Sequence, residues 1–168
     1  DMGALPMITW EPWDPDGDLR TQPEYQLRDI IEGRHDEVID RWARQAAGYG
    51  KPIMMRFAHE MNGDWYPWSE LVNDNRPGDF VAAWRYVHAA FERAGAHNVV
   101  WVWNPNVETP WSIPMAQLYP GADVVDYAAI DGYNAGSALP WGGWRSASSI
   151  IGNIGLPELR AAAPGVPV

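Results

Sequence analysis

Cysteine is missing from all 168 residues, which excludes disulfides and thiolate metal sites and leaves the redox compartment open. Basic residues are scarce: Lys and Arg total 12 against 22 Asp and Glu, for a formal net charge of −10. That balance argues against nucleic acid or an anionic membrane surface as partner, while a neutral polysaccharide is compatible with it. No apolar run approaches the ~20 residues of a membrane span. The opening residues Asp1-Met2-Gly3-Ala4-Leu5-Pro6 lack the basic and apolar regions of a signal peptide, so an export signal was removed or the natural start lies upstream. Phenylalanine is sparse as well, with 3 Phe beside 11 Trp and 7 Tyr. A chain that needs only apolar bulk uses Phe and Leu; Trp and Tyr carry a polar edge and suit half-wet surfaces that bind ligand.

What is present alternates. Pro6 to Trp10, Pro52 to Glu60, Asn98 to Trp103 and Val124 to Ile130 have the apolar content of buried strands. Between them, Asp36 to Tyr49 has helical spacing at Val38, Ile39, Trp42, Ala46 and Tyr49 and is closed by Gly50. A second helix is expected from Asp79, as its cap, to about Ala94, with Phe80, Trp84, Val87 and Phe91 on one stripe. A short helical turn near Met115 to Leu118, a broken helix over Ser146 to Ala163 and the first residues of a fifth strand at the C-terminus complete the series. Strands alternating with helices, without two-residue hairpin turns, predict a parallel sheet. The strands end in Glu11, Glu60, Asn104 and Asn106, and Asp131 and Tyr133, and in a parallel β/α barrel such ends share the rim where active sites sit. No repeat, low-complexity tract or linker divides the chain, which is expected to be part of one domain. A whole (β/α)8 barrel takes ~250 residues.

The most informative stretch runs from Arg56 to Trp68, Arg-Phe-Ala-His-Glu-Met-Asn-Gly-Asp-Trp-Tyr-Pro-Trp. A carboxyl group at a strand's mouth beside flat aromatic faces suits cleavage of a sugar polymer: the acid protonates the leaving oxygen and the rings stack on pyranoses. If the strand continues through Glu60, then Arg56, Ala58 and Glu60 share a face, and Arg56 can bond a carboxylate and hold it ionised. A structural ion pair of Glu60 with Arg56 is the plainer alternative, and the neighbouring His59, Asn62, Trp65, Tyr66 and Trp68 weigh against it. His59 suits either a structural hydrogen bond or orientation of the acid. Trp65 and Trp68 suit a stacking platform or a cover for the rim, and Trp10 a subsite floor or core. Tyr133 either bonds a catalytic carboxylate or is satisfied within its loop. Glu11 and Trp101 fit structural roles. The four His show no metal-ligand spacing, and no phosphate loop or Gly-x-Ser-x-Gly elbow is present, so no metal or other cofactor is expected.

These segments, together with Ile8 to Trp13, Ala83 to Val87, Asn98 to Asn106, Tyr119 to Asp123 and Asp131 to Asn134, resemble glycoside hydrolase family 26 over nearly the whole chain and in the family's order. The resemblance implies a (β/α)8 barrel of which this chain is the central part, about strands three to six and the start of seven. It implies that Glu60 is the general acid/base, with His59, Trp65, Trp10, Tyr133, Asp131 and Trp68 at the substrate and Arg56 and Asn62 in support. The implied reaction is retaining hydrolysis of β-1,4-mannan, with β-1,3-1,4-glucan or xylan as alternative substrates and a non-catalytic binding role as another. An extracellular location follows from the size of such polymers. The family's nucleophile is a Glu at the end of the seventh strand, expected just beyond Val168, so the 168 residues alone are expected to be inactive. An open barrel is also expected to expose apolar interior and strand edges and to dissolve poorly or associate.

Overall fold

A computed structural model describes residues 3–140 and 142–168, leaving Asp1, Met2 and Trp141 outside the described residues. Four parallel strands lie in sequence order: β1 (Met7–Trp10), β2 (Ile53–Phe57), β3 (Val99–Trp103) and β4 (Tyr127–Ala128). Helices α1 (Leu27–Ile31) and α2 (Asp36–Tyr49) follow β1, and α3 (Asp79–Arg93) joins β2 to β3. After β4, a π-helical stretch, Ser148–Gly155, runs into α4 (Leu156–Ala162). The chain's end then returns to the sheet, where Ala128 N–H donates to the Pro167 carbonyl at 2.8 Å. That bond is what the start of a fifth strand beside β4 requires.

The register sorts the side chains into two layers. Thr9 pairs with Arg56, and Trp10 with Phe57; Ile53 and Met55 pair with Val99 and Trp101. Ile53, Met55, Phe57, Val99 and Trp101 are buried beneath the helices, together with Phe80, Ala83, Trp84, Val87, Ala90 and Phe91 of α3. The α3 stripe expected from spacing is therefore the one that packs. The opposite row, which faces the axis of a barrel, is more open: Met7 is 51% and Tyr127 41% exposed.

Several boundaries differ from expectation. In α2 the buried stripe is Ile39, Ala43 and Ala46, whereas Val38 and Tyr49 are exposed. Gly50 closes that helix at φ 66°, where a side chain would be strained. Asp79 does not cap α3. Gly78 holds the cap position, Asp79 accepts the Arg76 N–H, and Glu70 takes the N–H groups of Gly78 and Phe80 at 3.0 and 2.9 Å. The fourth strand shortens to Tyr127–Ala128, followed by a bridge between Asn106 and Asp131. α1 has too few residues for a helical period to register, and its first N–H, on Leu27, is held by Asn75 Oδ1 at 2.8 Å.

Candidate active site

The second strand stops at Phe57, before the residues expected to carry chemistry. Ala58 and Glu60 take left-handed backbone angles, φ 46° and 53°, so the two-residue alternation breaks there. Such conformations in non-glycine residues cost free energy and persist only where surrounding bonds enforce them. Here the Ala58 N–H donates to the Trp10 carbonyl at 2.9 Å and the Glu60 N–H to the Asn104 carbonyl at 2.7 Å. Glu60 thereby sits over the ends of β2 and β3 rather than on the row of Arg56.

Asn62 fixes the next turn. Its amide donates to the Asn106 carbonyl at 2.8 Å and its oxygen accepts the Asn106 N–H at 2.9 Å, a clasp buried between the two loops. Farther along, Asn75 donates to the carbonyls of Pro67 and Ser69 at 2.7 and 2.9 Å, and Asn73 to those of Gln22 and Pro67. These bonds fold the 64–78 loop on itself and tie it to Gln22 in the segment after β1.

Arg56 joins the inner row from strand to strand. It donates to Thr9 Oγ1 at 3.0 Å, to Asn104 Oδ1 at 3.0 Å and to Asp131 Oδ2 at 3.2 Å. Its carboxylate partner is thus Asp131, and the alternative of a structural ion pair between Arg56 and Glu60 is not what forms. Glu60 is buried, and one oxygen accepts the Trp65 indole N–H at 2.8 Å while the other has no hydrogen bond. Burial pushes its carboxyl above the usual range and the neighbouring Asp131 carboxyl adds to the shift, against smaller opposing effects of Asn106 and Trp65. An upward shift favours the protonated form that a general acid must supply.

His59 is buried with Nδ1 3.9 Å from Glu11 Oε1, outside hydrogen-bond range. Burial first, then the Arg56 charge, lowers its pKa and favours the neutral ring, with Glu11 and Asp131 pulling the other way. Tyr66, tilted against His59 at 5.1 Å between ring centres, has its hydroxyl pushed up to about 12 by burial and by the Glu60 charge. Ligand-capable atoms of His59, Glu60 and Asp131 lie within 4.8 Å of one another. Arg56 on Asp131 and Trp65 on Glu60 already occupy two of the three carboxyl or ring partners, and a cation there meets a guanidinium at once. The set fits an acid network better than a metal centre.

A cleft of about 860 Å³ opens in front of Glu60, lined among others by Trp65, Asn106, Trp111, Tyr133 and Arg145. Trp65 lies over Gly63 so closely that a Cβ there would fall 2.2 Å from the ring, which explains the glycine. Tyr133 is 67% exposed at the cleft, and the Glu60 charge is the first cause raising its hydroxyl's pKa.

Two expected substrate contacts lie elsewhere. Trp68 is fully buried, stacked on Tyr66 at 4.3 Å, and donates to the His59 carbonyl at 2.8 Å, so it supports the motif from below and offers no face to a sugar. Trp10 falls on the helix-facing row, against Trp42 and Phe91 at 6.0 and 6.2 Å. It borders a separate cleft of about 250 Å³ with Trp13, Tyr25 and His35, away from Glu60. Sequence reasoning missed Trp111 and Arg145, which stand on loops without periodic pattern; their only signal is position, each in the loop after a strand end.

Parallel strands with helices between them, and a buried carboxyl at the strand ends beside an aromatic cleft, define part of a (β/α)8 barrel with its candidate site on the rim. The profile of glycosyl hydrolase family 26 matches residues 19–166, and the chain belongs to that family. It is 41% identical over 155 residues to endoglucanase H of Acetivibrio thermocellus, across 89% of this chain and 16% of that protein. It is 31% identical over 113 residues to mannan endo-1,4-beta-mannosidase A and B of Caldalkalibacillus mannanilyticus, across 61% of this chain and 21% of that one. The chain therefore spans only a minor part of the length of these relatives. A solved Cellulomonas fimi endo-beta-1,4-mannanase superposes with a TM-score of 0.62 at 20% identity, across 79% of this chain and 32% of its own, a likeness of fold alone.

Proposed function

We propose that these residues are the central part of one catalytic domain and form the acid/base half of a retaining, endo-acting β-glycan hydrolase. The observation that carries this is the buried Glu60 carboxyl, raised in pKa and facing an aromatic cleft. Glu60 protonates the departing glycosidic oxygen and then, as carboxylate, activates the water that releases the sugar. Its upward shift serves the first step, and ionisation, once the leaving group has taken the proton, serves the second. Trp65 holds Glu60 by its N–H while its ring walls the cleft; Tyr133 and Asp131 stand beside the cleavage point, and Arg56 and Asn62 keep the strand ends in register.

Retention needs a second carboxyl ~5–5.5 Å away on the other side of the bond. In this reading it belongs to the strand that begins beside β4 at Pro167, and the 168 residues alone do not turn over polysaccharide. The polymer's size places the reaction outside the cell. The backbone attacked is β-1,4-mannan, as the mannanase relative's name supports; β-glucan is the second reading, supported by the higher identity to an endoglucanase. Hydrolysis of β-mannan and of mixed-linkage β-glucan, assayed side by side on a protein carrying this segment within a whole barrel, separates the two. Turnover of neither, or full turnover after Glu60→Ala, would sink the proposal.

A further inference from the structure

The cleft in front of Glu60 has a wall that none of the roles above uses. Trp111 lines it, and the residue is 84% exposed. A bare indole on a floppy loop would mean little, but this loop is tied down. The Thr109 N–H donates to Ser112 Oγ at 2.9 Å, and that hydroxyl donates to the Thr109 carbonyl at 3.0 Å. The Trp111 N–H reaches Thr109 Oγ1 at 3.3 Å. Immediately after, the Ile113 N–H donates to the carbonyl of Asn62, two residues beyond Glu60, at 2.9 Å, and the Met115 N–H to Glu108 Oε1 at 2.5 Å. The turn that presents Trp111 is therefore fixed to the same segment that presents Glu60.

A large apolar ring held in water on a pinned turn forgoes about 25 cal/mol for each Å² that burial would recover. What would recover it must enter the Glu60 cleft. Pyranoses of a β-linked glycan suit the place: they offer a flat C–H face to an aromatic ring and hydroxyls around the edge. Arg145 borders the same cleft, with its N–H held by Asn134 Oδ1 at 3.3 Å, and supplies guanidinium donors for such hydroxyls.

We propose that Trp111 is the stacking surface of a sugar subsite adjoining the cleavage point, with Arg145 bonding the hydroxyls of the same pyranose. The inference rests on the β-glycan reading of the Glu60 cleft and deepens it. Because binding precedes chemistry, the test is a titration of mannohexaose and a mixed-linkage glucohexaose, in a calorimeter, into a protein carrying this segment within a whole barrel. Loss of one stacked ring should weaken binding of the preferred hexasaccharide about tenfold in Trp111→Ala, and Trp111→Tyr should recover most of it. Exposure of the side chain means that the melting temperature of both variants should match the parent's, which separates lost stacking from lost fold. Hexasaccharide binding unchanged in Trp111→Ala would overturn the subsite while leaving the Glu60 reading intact. If that whole-barrel parent binds neither hexasaccharide, the β-glycan reading fails and the subsite fails with it.

Discussion

The two rows of the same four strands have opposite fates. On the helix side, Phe57, Trp84, Phe91 and Trp101 meet edge-to-face or tilted at 5.2–6.1 Å between ring centres and are buried. On the inner side, Thr9, Arg56, Asn104 and Asp131 make a hydrogen-bonded chain across the strands and end beneath Glu60. Neighbouring residues of one strand thus divide between the packed core and the candidate site. Trp10 shows how strict the division is: one residue from Thr9, it belongs to the core and not to the site. Aromatic content alone therefore does not mark a sugar site. The row on which the ring sits decides.

That contrast can be broken experimentally, and the largest effect should come from the inner side. In a protein carrying the whole site, Glu60→Gln should lower turnover of unactivated polysaccharide by about 10²–10⁴-fold, as loss of a general acid does. A comparable rate would place the acid elsewhere. Next in size is the outer row: Trp84→Ala, at a fully buried ring bonded to the Val124 carbonyl at 3.1 Å, should cost about 3–5 kcal/mol in denaturant unfolding. A loss as small as that expected for a surface residue would mean that the helix layer is not the stabilising one.

Glu60→Gln also tests the cost of the site to the fold. A carboxyl whose folded pKa is raised favours the fold below its unfolded pKa and loses that contribution as pH rises through the folded value. The Gln variant should therefore melt higher than the parent at neutral pH, and the gap should close toward acid. A gap of constant size across pH would refute a shifted Glu60. The smallest effect lies at the helix start, where Glu70→Ala removes the acceptor for the Gly78 and Phe80 N–H groups and should cost about 1 kcal/mol. Asp79→Ala, by comparison, should leave the first turn of α3 with its Glu70 cap, and equal losses from both would erase that distinction.

Most of the scaffold was legible because long amphipathic periods and apolar runs report their own burial. The α3 stripe and the order of strands and helices follow from spacing alone. The position of Glu60 at a strand mouth beside aromatic residues was legible from its neighbours. What could not be read were features set by tertiary bonds: the left-handed turn at Ala58 and Glu60, which breaks strand alternation, and the pairing of Arg56 with Asp131, 75 residues away. Trp68 beside Trp65 looks equivalent in sequence, yet one caps the motif from beneath and the other borders the cleft. Trp111 gave no periodic signal because its turn is built from hydroxyl and backbone bonds.

The most direct test is a carboxyl titration of Glu60 by NMR in the 168-residue chain, with Glu60→Gln to assign the signal. A midpoint above the ordinary glutamate value of about 4.3, falling back when Asp131 is replaced by Asn, is the predicted result. A midpoint at or below the ordinary value would contradict a carboxyl kept protonated for acid catalysis.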